Sequence, residues 1–585
     1  MKYFVTFLFF IAIISYFSVN GIAQDPGDNQ FHFVGAYKEF PEGDGNGDMT
    51  NVKFVGDTDQ DGKGEFVFLT TNSDSCHFVM YEATGDDTYE EVFVFPFIPV
   101  WNGAFRDWTA ITVCDLNGNG VVEIIVGLPV EMRSAIVDHN PPRLVVFEWA
   151  GTVGENLYGY DNGTTPNAYW NFDVPDDFSI VPFQFTIDDI DNDGTLELIA
   201  DFREPKAVYI ISQTESWDFP LWIIEWYITD SSGDPNYVDH FDGGGFYGSG
   251  MGDLDSDGKK EIYVPVWDRL TLNIYECQEP GNFTREAYIR HVRPETDFGA
   301  VKGIRVGDVN NDGVKELYYV GTDKDDNDMG HIFAISNITD VSEVDSASFV
   351  DIVAYQTHPL NTTGRAARTG HLTDIDNDGN ADLMVCGSGN GQIYDIEYKG
   401  SGDPLDPDSW TFTIAFDLWE YWATYLPDSI IQGMSPRFWD GDVCDDMDDD
   451  GHKEYVVINY GTDHNIVPDD PWFYIFEEGP ATRVNYSNNI MLPETFKLFQ
   501  NFPNPFNPTT TIKYTVPKES FISLRVYNML GKEVKTLREG IVTAGEYYVV
   551  WDGKDNLGRE VSSGTYLYRL KTGNHIYTRS MSLVK

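Results

Sequence analysis

Seven short segments place side-chain oxygens at alternate positions around a glycine, in the pattern D-x-[DN]-x-[DN]-G-x-x-[ED]. The oxygen-bearing residues are Asp57, Asp59, Asp61 and Glu65; Asp115, Asn117, Asn119 and Glu123; Asp189, Asp191, Asp193 and Glu197; Asp253, Asp255, Asp257 and Glu261; Asp308, Asn310, Asp312 and Glu316; Asp374, Asp376, Asp378 and Asp382; and Asp446, Asp448, Asp450 and Glu454. Carboxylates this close repel unless a cation sits among them. Hard oxygen donors at this density suit Ca²⁺, which accepts six to eight of them in a flexible shell. Positions 1, 3, 5 and 9 supply side chains, position 7 would supply a carbonyl, and glycine at position 6 permits the tight turn. A single loop of this kind could be an Asx-turn. Seven of them, with starts 58, 74, 64, 55, 66 and 72 residues apart, mark an array of repeated units.

The repeats are not EF-hands. An EF-hand clamps Ca²⁺ with an acidic residue at position 12. Here that position holds Phe68, Val126, Ala200, Val264, Tyr319, Val385 and Val457. The residues after the loops, such as EIYVPV and ELYYVG, are β-branched and aromatic and read as strands. The Asp115 loop, with two carboxylates, is expected to bind most weakly. A site with a Kd of about 0.1 mM, in about 1 mM Ca²⁺, contributes about 1.4 kcal/mol. Seven independent sites would then contribute up to about 10 kcal/mol, comparable to the net stability of a whole domain. Such loops are structural staples rather than catalysts.

The elements that must position them are β-strands. Two or three further β-runs follow each loop, as in FVFLTT, HFVMYEA and EEVFVFPF after Asp57. With the strand entering the loop, each unit has four strands, and four antiparallel strands every 65 residues or so describe propeller blades. The expected fold is therefore all-β: a seven-bladed β-propeller with Ca²⁺-binding loops, followed by a small C-terminal Ig-like β-sandwich. Either FHFVGAY, from Phe31, or ATRVNYS, from Ala481, could supply the strand that completes the last blade. On these loops, residues 30–490 resemble FG-GAP/VCBS repeats, the blades of integrin α-subunit propellers and of many bacterial surface proteins. The resemblance implies a structural role for up to seven Ca²⁺ ions.

The rest of the chain sets the context. Of 585 residues 15% are aromatic, and the net charge of −57 argues against nucleic acid as a partner. Residues 1–23 pair Lys2 with an apolar run from Phe4 to Phe17 and small residues before Gln24, the pattern of a cleaved signal peptide. No later segment is apolar enough to span a membrane, so none is expected in the mature chain. The five cysteines are widely spaced and read as buried thiols.

Composition changes after residue 490. Residues 494–585 carry 13 Lys+Arg against 8 Asp+Glu, a net +5, which leaves −62 on residues 1–493. The expected organisation is a propeller over 24–490, a Pro/Asn-rich linker over 491–508, and an Ig-like domain over 509–585. Within the tail PNPFNP, TIKYTVP, VYNMLGKEV, WDGKDNLG and SGTYLYRL stand in order. These residues closely resemble the type A C-terminal sorting domain of the type IX secretion system, which has a FlgD-like Ig fold. The resemblance implies export through that machinery to the exterior or outer-membrane surface of a Gram-negative bacterium.

No nucleophile motif, zinc motif or phosphate loop is present; Gly243-Gly244-Gly245 lacks the Lys and Ser of a phosphate cradle. Arg365, Arg368 and His371 form the one short cluster that could serve a polysaccharide lyase, or could simply pair with carboxylates. The aromatic inserts PVWNGAFRDW, YGYDNGTTPNAYW and DLWEYWATYLPD could stack on sugars or pack between blades. The preferred reading is a binding, adhesion or scaffold protein with an extracellular polysaccharide or protein ligand. The alternative is a carbohydrate-active enzyme, a lyase or hydrolase, on the same scaffold.

Overall fold

The computed structural model describes most of residues 30–479 and 496–584. Outside the described residues lie 1–29, 38–47, 98–108, 129–143, 171–180, 214–221, 230–245, 356–368, 460–472 and 480–495, together with shorter stretches and Asn117. The signal segment, the first aromatic insert, Gly243-Gly244-Gly245, Arg365, Arg368 and ATRVNYS therefore fall outside it.

The chain is all-β. Residues 30–37 and 48–479 form seven four-stranded antiparallel sheets, six of them built from consecutive strands. The first comprises Asp48–Gly56, Glu65–Thr71, Cys76–Gly85 and Thr88–Phe97. The seventh comprises Phe438–Val443, Glu454–Asn459 and Phe473–Gly479, and its fourth strand is the N-terminal Gln30–Tyr37. FHFVGAY is thus the strand that completes the last sheet, with Phe31 opposite Glu478 and Tyr37 opposite Phe473.

Alternation along each strand gives every sheet two apolar faces, and each face must be covered by a neighbour. Seven buried clusters do this, and each spans two consecutive sheets. One of them joins the seventh sheet to the first: Phe473 packs on Phe68 and Tyr81 with ring centroids 5.3 and 5.2 Å apart. The order of contacts is circular.

The first strand of every sheet lines one cavity of about 520 Å³, through Lys53, Thr112, Thr186, Met251, Arg305, His371 and Asp442 in turn. These inner strands crowd each other. A Cβ at Gly250 would lie 2.6 Å from Ile304, and one at Gly252 2.7 Å from Val306.

The tail is a separate two-sheet sandwich. One sheet has Lys497–Leu498, Thr510–Val516 and Gly545–Trp551; the other has Glu533–Val542, Ser520–Asn528, Gly564–Thr572 and His575–Leu583. Its core holds Leu524, Trp551, Tyr568 and Leu570. Glu533–Val542 stands at the end of the second sheet. It is an edge strand rich in charge, and an edge tolerates side chains that a central strand would not. The Pro/Asn-rich stretch is pinned to the sandwich. Phe506 is buried 5.5 Å from Trp551, and the Asn504 Oδ1 accepts the Ser582 N–H at 2.8 Å.

Among the described residues no helix is long and apolar enough to cross a membrane. Cys277, Cys386 and Cys444 are buried free thiols and Cys114 is a half-buried one.

Candidate metal centres

All seven acidic loops join the first strand of a sheet to its second. In six, the residue before position 1 pairs across the hairpin with position 9, as Gly252 does with Glu261. Position 9 therefore opens the second strand and is pulled inside with it. Glu65, Glu123, Glu197, Glu261 and Glu454 are fully buried, and Glu316 and Asp382 nearly so.

One backbone frame recurs in every loop. One carboxylate oxygen of position 9 accepts the N–H of position 2, at 2.7 Å in Thr58–Glu65, Leu116–Glu123 and Ile375–Asp382, and at 2.8–3.2 Å in the other four. The position 5 oxygen accepts the N–H of position 7 in all seven, as in Lys259–Asp257 at 2.8 Å. In six loops the position 1 carboxylate takes the glycine N–H at position 6. Glycine at position 6 has φ between 84° and 101° in each loop, a region that favours glycine.

Two features escaped the sequence reading. Position 4 is also left-handed in every loop: Gln60, Gly118, Asn192, Ser256, Asn311, Asn377 and Asp449. Three asparagines, an aspartate and a glycine there were the available signal, since these residues tolerate that region best. Position 2 is a buried anchor, apolar in six loops and Thr58 in the first.

The side chains converge. One ligand oxygen from each of Asp57, Asp59, Asp61 and Glu65 lies within 4.8 Å of the others, and the same holds for Asp253, Asp255, Asp257 and Glu261. Trios meet the same limit at Asp189, Asp191 and Glu197, and at Asp374, Asp376 and Asp382. Asp193 stands outside its trio, with its Oδ1 taking the Thr195 N–H and hydroxyl at 2.8 and 2.5 Å. At the seventh loop Asp450 groups with His452 and Glu477. In the Asp115 loop Asn119 and Glu123 keep the common frame while Asn117 is outside the described residues. These groups could hold metal ions.

The electrostatics fit a cation. Buried carboxylate oxygens with no hydrogen-bond partner include Asp59 Oδ2 and Glu65 Oε1, Asp189 Oδ1, Asp253 Oδ1 and Glu261 Oε1, and Asp374 Oδ1. A buried carboxylate oxygen without a partner costs on the order of 1–3 kcal/mol. Burial pushes the Glu65, Glu197 and Glu261 carboxyls up to about 8, Glu316 to about 7 and Glu454 to about 9. A divalent ion would hold them ionised instead. Apart from His452 in the seventh group, the donors of the groups named here are hard oxygens, with no thiolate among them.

Six of the seven loops are also tied to a neighbouring sheet. Lys260 Nζ, at position 8 of its loop, lies 2.7 Å from Asp188 and 2.9 Å from the Asp189 carbonyl in the preceding sheet. Lys453 reaches the Asp374 carbonyl at 2.7 Å and Lys315 the Asp253 carboxylate at 3.6 Å. In the other direction, Asp191 and Asp255 accept the N–H groups of Gly281 and Val341 in the following sheets, at 3.0 and 3.1 Å. The Gly64 N–H donates to the Met447 carbonyl at 2.9 Å, linking the first loop to the seventh.

The other candidates fare differently. Trp419 and Trp422 of the DLWEYWATYLPD insert lie on the helix Leu418–Ala423 and are buried between the sixth and seventh sheets. Tyr158 is buried between the first and second sheets, while Tyr160 is exposed. An apolar ring gains more from a neighbouring sheet than from water, so Trp419, Trp422 and Tyr158 are core. His371 lines the cavity shared by the first strands, with its Nδ1 3.7 Å from Asp442 and its Nε2 enclosed. Burial and the Arg305 charge hold it down at about 3, so it is neutral.

Comparison with known proteins adds the following. Residues 508–575 match the FlgD Ig-like domain family. No curated protein matches the chain. Among solved structures, a rhamnogalacturonan lyase of Bacillus licheniformis is 12% identical with a TM-score of 0.36, covering 73% of this chain and 71% of its own. Polycomb repressive complex 2 of Chaetomium thermophilum is 8% identical with a TM-score of 0.41, covering 77% and 98%. PorZ, a bacterial surface component of the type IX secretion system of Porphyromonas gingivalis, is 11% identical with a TM-score of 0.20, covering 92% and 81%. Likeness at this level carries no assignment of activity.

Proposed function

We propose that residues 24–490 form a closed, Ca²⁺-stabilised seven-bladed propeller of the FG-GAP/VCBS type. It acts as a binding, adhesion or scaffold protein outside the cell. The observation that carries this reading is the sevenfold recurrence of one loop frame at the same hairpin of seven sheets in circular contact, with partnerless carboxylate oxygens in the Asp57, Asp189, Asp253 and Asp374 loops. In this reading Ca²⁺ ions satisfy those oxygens, and the loops tie four of the seven neighbouring pairs of blades through Lys260, Lys315, Lys453 and Gly64.

Export follows from the two ends. Residues 1–23 direct the chain across the inner membrane. The tail, with 491–508 as its approach and 509–585 as its Ig-like body, addresses the type IX secretion machinery. The match to the FlgD Ig-like family over 508–575 supports the body of this assignment.

The binding reading is preferred to the lyase reading because of where His371 lies. Its Nε2 is enclosed by protein, away from any polymer lying across a face of the ring.

Incubating the chain in Ca²⁺ with a panel of extracellular polysaccharides tests the choice, with retention and chain shortening scored together. Retention without shortening is expected. Shortening would overturn the binding reading in favour of the enzyme.

A further inference from the structure

The axial cavity has a charge balance that the metal loops do not explain. Seven ionisable side chains line it: Lys53, Asp188, Lys302, Arg305, His371, Asp440 and Asp442. Most of them pair. Lys53 Nζ lies 3.0 Å from Asp442, Lys302 Nζ 2.6 Å from Asp440, and Asp188 2.7 Å from Lys260. His371 is neutral.

That leaves Arg305. It donates one hydrogen bond, from Nη1 to the Ile304 carbonyl at 2.7 Å. Among the described residues no carboxylate comes within ion-pair distance of it. Its side chain is half-buried and lines the cavity. Lys53 is likewise 40% accessible although protein surrounds it, which makes the cavity a wet one.

We propose that this cavity is a binding site for one small organic monocarboxylate, held by Arg305. The argument has three parts. A guanidinium offers five N–H donors in a planar fork that matches a carboxylate bidentately, and here one donor is used internally. Counted together with Lys260, which pairs with Asp188 from outside the lining, the ionised groups around the cavity carry one net positive charge, which a single negative charge balances. The volume of about 520 Å³ falls within the range of small-molecule sites and exceeds the needs of a simple ion.

The surrounding charge narrows the ligand further. With −62 on residues 1–493, each extra negative charge on a ligand raises the repulsion it meets. The site therefore favours a monoanion over a polyanion such as an acidic polysaccharide. The inference rests on the ring reading for the axial position of the cavity. Its test does not depend on Ca²⁺ affinity, so the two can fail separately.

The experiment is a thermal-shift and calorimetric titration of the chain, in Ca²⁺, with acetate, D-glucuronate and chloride as probes at constant ionic strength. The expected result is a saturable rise in Tm with at least one of the two acids and no saturable rise with chloride. R305Q should weaken that binding by at least about tenfold, and R305K should restore only part of it, because lysine keeps the charge and loses the fork. If R305Q does not fold, the wild-type titration still decides. No saturable shift with either acid, or a shift with chloride equal to that with the acids, would overturn the proposal. So would undiminished binding in a folded R305Q.

Discussion

Ca²⁺ binding to this chain should expel protons, and the structure sets the number. The glutamates at position 9 are buried with one oxygen bound to a backbone N–H and, in Glu65 and Glu261, the other without a partner. Without metal, burial raises Glu65, Glu197 and Glu261 to about 8, Glu316 to about 7 and Glu454 to about 9. A group at about 8 is roughly nine-tenths protonated at pH 7, one at about 7 half protonated, and one at about 9 almost wholly so. Ligation requires the ionised form. Loading the sites at pH 7 should therefore release about four protons per chain from these five glutamates, falling to about one at pH 9. The assay is calorimetric titration with Ca²⁺ in two buffers of different ionisation heat. The slope of apparent enthalpy against that heat counts the protons. A slope near zero at pH 7 would refute the claim that buried position 9 carboxyls are protonated until the ion enters.

Further outcomes follow from the same geometry. The glutamates' folded values lie above their ordinary 4.5, so in EGTA they contribute stability that is full below about pH 4.5 and lost as pH rises through about 8. Denaturant midpoints of the metal-free chain should fall across that window, and Ca²⁺ should reverse the trend. Asp253→Ala should cost more Ca²⁺-dependent stability than Asp115→Ala, because its loop holds four carboxylates against two; equal losses in urea unfolding would contradict this ranking. Lys302→Met leaves Asp440 buried without its partner at 2.6 Å and should destabilise by about 3–5 kcal/mol by urea unfolding. Trp422→Ala should cost about 3–5 kcal/mol by the same measure if the indole is core, and almost nothing if it is a free stacking platform.

Much of the architecture was legible because it is written seven times. The loop pattern, the β-runs after it and the glycine at position 6 identify the hairpins, and repetition removes the ambiguity of any one copy. What was not legible depends on neighbours distant in sequence. Whether Trp419 and Trp422 face a sugar or a sheet is decided by Tyr474 and Phe476, about 50 residues on, which share their cluster. Lys260, Lys315 and Lys453 read as surface charge until the preceding loop is brought beside them. Arg305 lies in an ordinary strand, IRVGD, and nothing local marks it. Only the convergence of first strands puts it in a cavity. The edge strand Glu533–Val542 carries no clean alternation to read, because an edge needs none.

The most direct test of the central claim is the thermal midpoint of the purified chain in millimolar Ca²⁺ and in excess EGTA. If the loops are cation sites that tie the sheets together, chelation leaves repelling carboxylates at seven hairpins, and the midpoint should fall steeply and recover when Ca²⁺ is restored. An unchanged midpoint in EGTA, with no Ca²⁺ bound by the untreated protein, would contradict the account.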